Sequence, residues 1–315
     1  MNSTIIGVGA SLPLRCMRNS DLPGDLDTSD EWILQRTGIA QRHIADGETT
    51  SLLATRAARN ALIHAKISPQ DVDLVLVATS TGDYTLPATA TLVQRNLGLR
   101  GAAFDVNAVC SGFIFALDVA DSFIKSGKFR CALVIGAETF SRIVDWSDRS
   151  TCVLFGDGAG AVVLRAIDDD ERGVIFCKIH SDGNYAHQLI TDGGVSTTKD
   201  AGLLKMSGRE VFKFAVEKFH ESLMELLAEN QMTVADVDLL VPHQANVRII
   251  KKLVELSGVD ERKVLVTLDK HANTSAASIP LALNEVKNTV FSAKNVVLLS
   301  MGAGFTWGSA LIRFQ

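Results

Sequence analysis

A thiol, an imidazole and a carboxamide stand in this chain in settings where together they could carry an acyl group through a thioester. Cys110 lies in Asp105-Val-Asn-Ala-Val-Cys-Ser-Gly112, where an apolar strand pattern stops and a helical one begins. A thiol on a turn at a helix N-terminus feels unpaired backbone N–H groups and the positive end of the helix dipole, and both favour the nucleophilic thiolate. His243 follows the apolar run Leu239-Leu-Val-Pro and opens the polar cluster His243-Gln-Ala-Asn246, at a strand end, where open α/β sheets hold their ligands. Asn273 lies in His271-Ala-Asn-Thr-Ser-Ala-Ala-Ser278, and Gly302-Ala303-Gly304 offers free backbone N–H groups. Taken singly, each has an ordinary reading: an inert core cysteine, a hydrogen-bonded core histidine, an asparagine bonding its own turn, a tight glycine loop. Taken together they are the nucleophile, the polar partners and the oxyanion donors that thioester chemistry requires.

Periodicity predicts the elements that must hold these groups. Ala102 to Val109 reads as a short buried strand, and Phe113, Ala116, Leu117, Ala120 and Ile124 recur at helical spacing up to Ser126-Gly127. Thr28-Ser-Asp-Glu-Trp32 places capping residues before a helical start, and Thr50 to Ala65 is an amphipathic helix. Leu74 to Ala78 and Cys131 to Ile135 are buried strands, the second ended by Gly136-Ala-Glu138. Phe155-Gly-Asp-Gly-Ala-Gly160 lacks both the Lys-Ser/Thr of a P-loop and the spacing of a dinucleotide fingerprint, so it is read as structural. The chain also repeats itself. Asp71-Val-Asp-Leu-Val-Leu-Val returns as Asp236-Val-Asp-Leu-Leu-Val, an offset of about 165 residues, too long for a solenoid and suited to two homologous α/β halves. At that offset Cys110 falls beside Asn273, so a pseudo-twofold axis would bring them to one site. The charged turn Asp168 to Gly173 divides the halves, taken as residues 1–170 and 171–315.

Composition narrows the function. The chain has 315 residues, 47% of them hydrophobic, enough for a large core and about two domains. Its net charge of −5 is spread along the sequence, which argues against nucleic acid or an anionic membrane as the main partner. Five cysteines without a C-x-x-C pair or zinc-ligand spacing read as reduced thiols of a cytoplasmic protein with no metal site. Met1 to Leu14 does not have the pattern of a signal peptide, and no run approaches the roughly 20 apolar residues of a membrane span.

The residues carry a resemblance over essentially the whole length. Thr28-Ser-Asp-Glu-Trp-Ile, Arg36-Thr-Gly-Ile, Cys110-Ser-Gly-Phe, Phe155-Gly-Asp-Gly-Ala-Gly, Val241-Pro-His-Gln-Ala-Asn, Asn273-Thr-Ser-Ala-Ala-Ser-Ile-Pro and Gly304-Phe-Thr-Trp-Gly resemble the β-ketoacyl-acyl carrier protein synthases III. The resemblance implies a thiolase-like α/β fold, two halves with mixed five-stranded sheets about a pseudo-twofold axis. It implies decarboxylative condensation of an acyl-coenzyme A primer, acetyl in the first place, with malonyl-acyl carrier protein, the initiating step of type II fatty acid synthesis. Cys110 is the implied nucleophile, and His243 with Asn273 the pair that stabilises the decarboxylated donor. The backbone N–H groups of Cys110 and Ala303 form the implied oxyanion hole. Thr28, Trp32, Arg36, Arg149, Gly208, Phe212 and Asn246 match positions that hold coenzyme A, which enters as substrate; no cofactor is implied.

The resemblance further implies a homodimer through the sheets, with Leu86 reaching the partner's acyl channel as a gate. Leucine there, rather than a bulky aromatic residue, suggests room for more than acetyl. Asn273 marks an initiating enzyme, since elongating synthases resemble a Cys-His-His arrangement, and His271 is taken as structural. Met301-Gly-Ala-Gly lacks the second cysteine of a biosynthetic thiolase. An acidic carrier protein needs a local basic patch on a chain of net negative charge, and Arg248 with Arg209 and Lys213 is the candidate, supported by Lys251 and Lys252. The competing readings are a related enzyme of quinolone or polyketide assembly using the same three residues, and a non-catalytic acyl-binding protein.

Overall fold

The computed structural model describes residues 1–314. A five-stranded sheet runs in the order Asn2–Ser11, Gly158–Ile167, Cys131–Glu138, Leu74–Ala78, Ala102–Val106. Its last three strands are parallel to one another, and Gly158–Ile167 is antiparallel to both of its neighbours. The second sheet runs Leu239–Pro242, Asn295–Gly302, Thr306–Arg313, Gly173–Ser181, with one parallel and two antiparallel pairs. It has four strands rather than the five expected. At the position of the fifth, beside Leu239–Pro242, the chain makes only a single parallel bridge, Leu240 to Val264, and one bond from Leu265 N–H to the Leu240 carbonyl.

The internal repeat has a physical cause. In each copy the first aspartate closes a capping box on a short 3-10 turn, Asp71 with Ser68 and Asp236 with Thr233. The second aspartate ties its strand to the next one in the sheet. The Asp73 carboxylate accepts the N–H groups of Arg130 and Cys131 at 2.8 and 3.0 Å, and Asp238 accepts those of Lys294 and Asn295 at 3.1 and 2.9 Å. The equivalent strands of the two sheets therefore start in the same register.

Alternation along the strands sorts the core into layers. Leu74, Leu76 and Ala78 point to one side of the first sheet, and Val296 and Leu298 to one side of the second. All of them pack with Phe113, Ile114 and Leu117 of helix Gly112–Lys125 and Ile279 of helix Ser278–Glu285. These two helices fill the space between the sheets. Val75 and Val77 face the other way, onto Leu53, Ala57 and Ala61 of helix Thr50–Ala65. Val297 and Leu299 likewise face Phe219 and Leu223 of helix Gly208–Glu229 and Leu253 of helix Val247–Ser257. The inner strands Leu74–Ala78, Cys131–Glu138 and Asn295–Gly302 are buried on both faces, which is why they read as nearly unbroken apolar runs. Deep burial of this kind stabilises by roughly 1.5–3 kcal/mol per large side chain.

Gly136 is where the central helix layer meets the first sheet most closely. A Cβ there would lie 2.1 Å from the Ala276 carbonyl oxygen, so any side chain would push the Asn273 turn off the strand. Asp157, in the glycine-rich run, is buried and accepts from Ala45 N–H and Ser141 N–H at 2.7 and 2.8 Å, a structural tie as the sequence suggested. Among the described residues no helix is long and apolar enough to cross a membrane.

Candidate active site

Cys110 lies on the 3-10 turn Val109–Ser111, which runs directly into helix Gly112–Lys125. Val109 has a φ of 49°, an unfavourable value for a β-branched residue, and the surroundings hold it there. The Ser111 hydroxyl donates to the Thr306 carbonyl at 2.9 Å, and the Thr306 hydroxyl donates to the carbonyls of Ala108 and Ala303, each at 3.1 Å. One threonine of the last strand thus braces both the Cys110 turn and the Gly302-Ala303-Gly304 loop. A Cβ on Gly302 would lie 2.8 Å from the Cys110 nitrogen, so glycine is needed for this approach.

His243 ends strand Leu239–Pro242, its N–H bonded to the Leu299 carbonyl at 2.7 Å. Its Nδ1 is 2.6 Å from the Ser278 hydroxyl, which also accepts from Gln244 N–H at 3.4 Å. The hydroxyl can give its proton to Nδ1, an arrangement that keeps the ring proton on Nε2 as a donor. Asn273 is pinned by backbone bonds to Leu154 and Gly156, and its side-chain oxygen accepts Ser275 N–H at 2.9 Å. The amide NH2 is the end left to donate. Cys110, His243 and Asn273 all line one cavity of about 470 Å³.

The charge states differ from the sequence reading in one respect. Burial pushes the Cys110 thiol up to about 12; the neighbouring Ser275 hydroxyl opposes this, the charge of Glu138 adds to it, and the Cys110 backbone N–H opposes it least. Burial also pushes His243 down to about 3, so it is a neutral imidazole at physiological pH.

The mouth of the cavity is cationic. Trp32 and Arg36 come from helix Asp30–Thr37, whose first turn is capped by the Ser29 hydroxyl accepting Trp32 N–H at 3.1 Å. The Arg149 and Arg36 guanidinium groups lie 5.2 and 5.8 Å from the Trp32 ring centre, and Arg149 also pairs with Asp27. Gly208, Phe212 and Asn246 line the wall, Asn246 serving as N-cap of helix Val247–Ser257. Arg209 and Arg248 line it too, with Arg248 stacked 5.5 Å over the Phe212 ring. Arg248 therefore lies in the cavity wall and not only on an outer face. Lys213 is exposed one turn further along its helix and does not line the cavity.

Thr28, Leu86 and Ala303 are also outside the cavity lining. Thr28 is half-buried just before the Trp32 helix, and Leu86 is 80% exposed on a surface loop beside exposed Tyr84. His271 is buried away from the cavity, 3.3 Å from Glu285, in the structural place expected of it. Sequence reading missed Ser278 and Glu138. Ser278 lay inside a quoted run of small residues, and Glu138 was signalled by an acid ending an otherwise apolar strand.

A buried cysteine, imidazole and amide at one cavity between the halves of a two-sheet, five-layer α/β fold define a thiolase-like condensing enzyme. Two family models match this chain: 3-oxoacyl-[acyl-carrier-protein] synthase III over residues 104–183, and the C-terminal part of the same family over 227–314. A β-ketoacyl-[acyl-carrier-protein] synthase III of Rhodospirillum centenum is 56% identical, over 100% of this chain and 99% of the relative. Among solved structures, 3-oxoacyl-[acyl-carrier-protein] synthase III from Aquifex aeolicus VF5 superposes with a TM-score of 0.94 at 46% identity, over 99% of each chain. A priming β-ketosynthase of the R1128 polyketide biosynthetic pathway superposes with a TM-score of 0.91 at 34% identity, over 99% of this chain and 96% of that one. The chain belongs to the β-ketoacyl-acyl carrier protein synthase III family.

The second-layer serine yields a prediction. In Ser278→Ala, Nδ1 loses its hydroxyl partner, and the ring is free to change tautomer and turn its lone pair toward the substrate. Malonyl decarboxylation is expected to fall about ten-fold, the loss of one aligned hydrogen bond, with acyl transfer to Cys110 little changed. Release of CO2 from malonyl-acyl carrier protein, beside release of coenzyme A from acetyl-coenzyme A, measures the two steps separately.

Proposed function

We propose that this chain condenses a short acyl-coenzyme A, acetyl first, with malonyl-acyl carrier protein to give 3-oxoacyl-acyl carrier protein, CO2 and coenzyme A. The convergence of Cys110, His243 and Asn273 on one buried cavity carries this reading. Cys110 attacks the acyl thioester and coenzyme A leaves, giving an acyl-enzyme. The backbone N–H groups of Cys110 and Ala303 hold the oxyanion; the Thr306 bonds to both backbone segments support this role. Malonyl-acyl carrier protein then loses CO2. The enolate oxygen takes hydrogen bonds from His243 Nε2 and the Asn273 amide, and its carbon attacks the acyl group on sulfur. Neutral donors in a dry site suit an enolate, because they are aimed before charge develops.

The arginine-lined mouth suits the phosphates of coenzyme A, with Trp32 offering an aromatic face between two guanidinium groups. Gly208, Phe212 and Asn246 line the pantetheine arm, and Thr28 steadies the approach to the Trp32 helix. The proposed division places Cys110 in a half of residues 1–170 and the other two groups in 171–315, supported by the matching aspartate ties. The proposed working form is a cytoplasmic homodimer in which Leu86 gates the partner's acyl channel; its exposure on a single chain fits that role. Intact-mass measurement after incubation with acetyl-coenzyme A tests the reading, the expected result being one acetyl adduct on the Cys110 peptide.

Carrier-protein docking is assigned to Arg209, Lys213 and Arg248, and the structure separates their expected effects. Lys213→Glu removes a rim charge, so the apparent KM for malonyl-acyl carrier protein is expected to rise about three- to ten-fold and its salt dependence to weaken. Acetyl-coenzyme A turnover to acyl-enzyme should stay within about two-fold. Arg248→Glu, in the cavity wall, is expected to impair both half-reactions. Steady-state kinetics at two ionic strengths make the comparison, and equal losses in the Lys213 variant would remove it from the docking surface.

A further inference from the structure

Glu138 is a carboxyl group with no exposed surface at the end of strand Cys131–Glu138. One of its oxygens accepts the Ser275 hydroxyl at 3.2 Å, and the 3-10 turn Ser275–Ala277 packs against the turn Val109–Ser111 that carries Cys110. Ser275 thus stands between the nucleophile and a buried acid. The remaining partners come from the loop after strand Leu74–Ala78: the hydroxyls of Thr79 and Thr81, and Ser80 N–H at 3.1 and 3.2 Å. Among the described residues no lysine, arginine or histidine pairs with Glu138, and the Cys110 thiol is the titratable group it faces. A buried acid ringed by hydroxyls and left without a cation is a costly feature for a fold to keep.

We propose that Glu138 is the terminal acceptor of the Cys110 proton during acylation, acting through the Ser275 hydroxyl as a positioning residue for that step. The inference rests on Cys110 being the acylated nucleophile. As the sulfur bonds to the thioester carbonyl carbon, the thiol proton moves to Ser275 Oγ while the Ser275 proton moves to Glu138. When the carbon–sulfur bond to coenzyme A breaks, the same path returns the proton to the departing sulfur. One thiol replaces another and no further reactant is required. The imidazole is poorly suited to this task, because its Nδ1 is engaged by Ser278 at 2.6 Å and burial makes it a weak base.

Burial holds the Glu138 carboxyl up at about 7, against the opposing bonds from Thr81, Ser80, Ser275 and Thr79. It can accept a proton above that pH and not below it. Acylation should therefore climb with pH through neutrality and level off well before the thiol itself ionises.

The test is single-turnover release of coenzyme A from acetyl-coenzyme A by the full-length protein between pH 5.5 and 9. Glu138→Gln preserves shape and acceptor oxygen but cannot take a proton. Its acylation at pH 8 is expected to be about a hundred-fold slower, without the rise through neutrality. Ser275→Ala, which leaves Glu138 bonded to both threonines, is expected to behave the same way. A purely electrostatic role predicts the opposite sign, since removing a negative charge near the thiol favours the thiolate and speeds acylation. Unchanged or faster acylation in either variant, or a wild-type pH profile in both, overturns the proposal. Equal slowing of acylation and decarboxylation would also overturn it, by marking a loss of structure. If the wild-type protein forms its adduct elsewhere than Cys110, the functional reading itself fails first.

Discussion

Cys110→Ala protein mixed with acetyl-coenzyme A gains no acetyl mass and forms no 3-oxoacyl product, yet still releases CO2 from malonyl-acyl carrier protein. This separation is expected because the sulfur belongs to one step and the enolate donors to the other. The alanine removes the only atom that can bear the acyl group at that position, so condensation falls by the full contribution of covalent catalysis. The donors remain in place: His243 is held by Ser278 and Leu299, and Asn273 by Leu154, Gly156 and Ser275. The smaller side chain also leaves more room near the carboxylate to be lost. Product formation at wild-type rate would mean that another group is the nucleophile.

The mirror-image result is expected for His243→Ala and Asn273→Ala. Each deletes one donor aimed at the enolate oxygen, and decarboxylation should fall by about 10²–10³. Acylation of Cys110 should persist, because its proton leaves on the Ser275 side of the sulfur, away from the imidazole. The double variant should lose less than the product of the two single losses, since two donors on one oxygen act as a unit. Decarboxylation and acylation measured on the same preparations test the division of labour. A histidine variant that fails to acylate but decarboxylates normally would reverse the assignment.

Much of this site was legible in the sequence, for reasons that differ between residues. Cys110 and His243 each stand where an apolar run gives way to polar or small residues, and such ends are where strands deliver side chains to a cleft; Asn273, which follows Asp269-Lys-His-Ala272, was legible only from the repeat offset and the resemblance. The aspartate pair of the repeat was visible because tying two strand starts requires the same short acidic motif in both halves. The sheet of four strands was not foreseen, because Val264 and its neighbours have strand composition but pair only once with Leu240. Nor was the charge state of the thiol. A helix N-terminus can be read from spacing, whereas desolvation depends on what the folded chain packs around the sulfur. Arg248 was read as surface because basic residues usually are, and its place in the cavity wall follows from the stacking on Phe212.

The bracing by Thr306 has a consequence for biosynthesis. Ser111 and Thr306 are 195 positions apart, and the bonds between their segments close only when nearly the whole chain has been made. A contact of such long range forms late, after the local helices and hairpins. While the polypeptide is still emerging from the ribosome, Cys110 has neither the Thr306 contacts that define the Val109 turn nor the Gly302-Ala303-Gly304 loop beside it. The Cys110 turn and the Gly302-Ala303-Gly304 loop are therefore fixed together, and only once the last strand is in place.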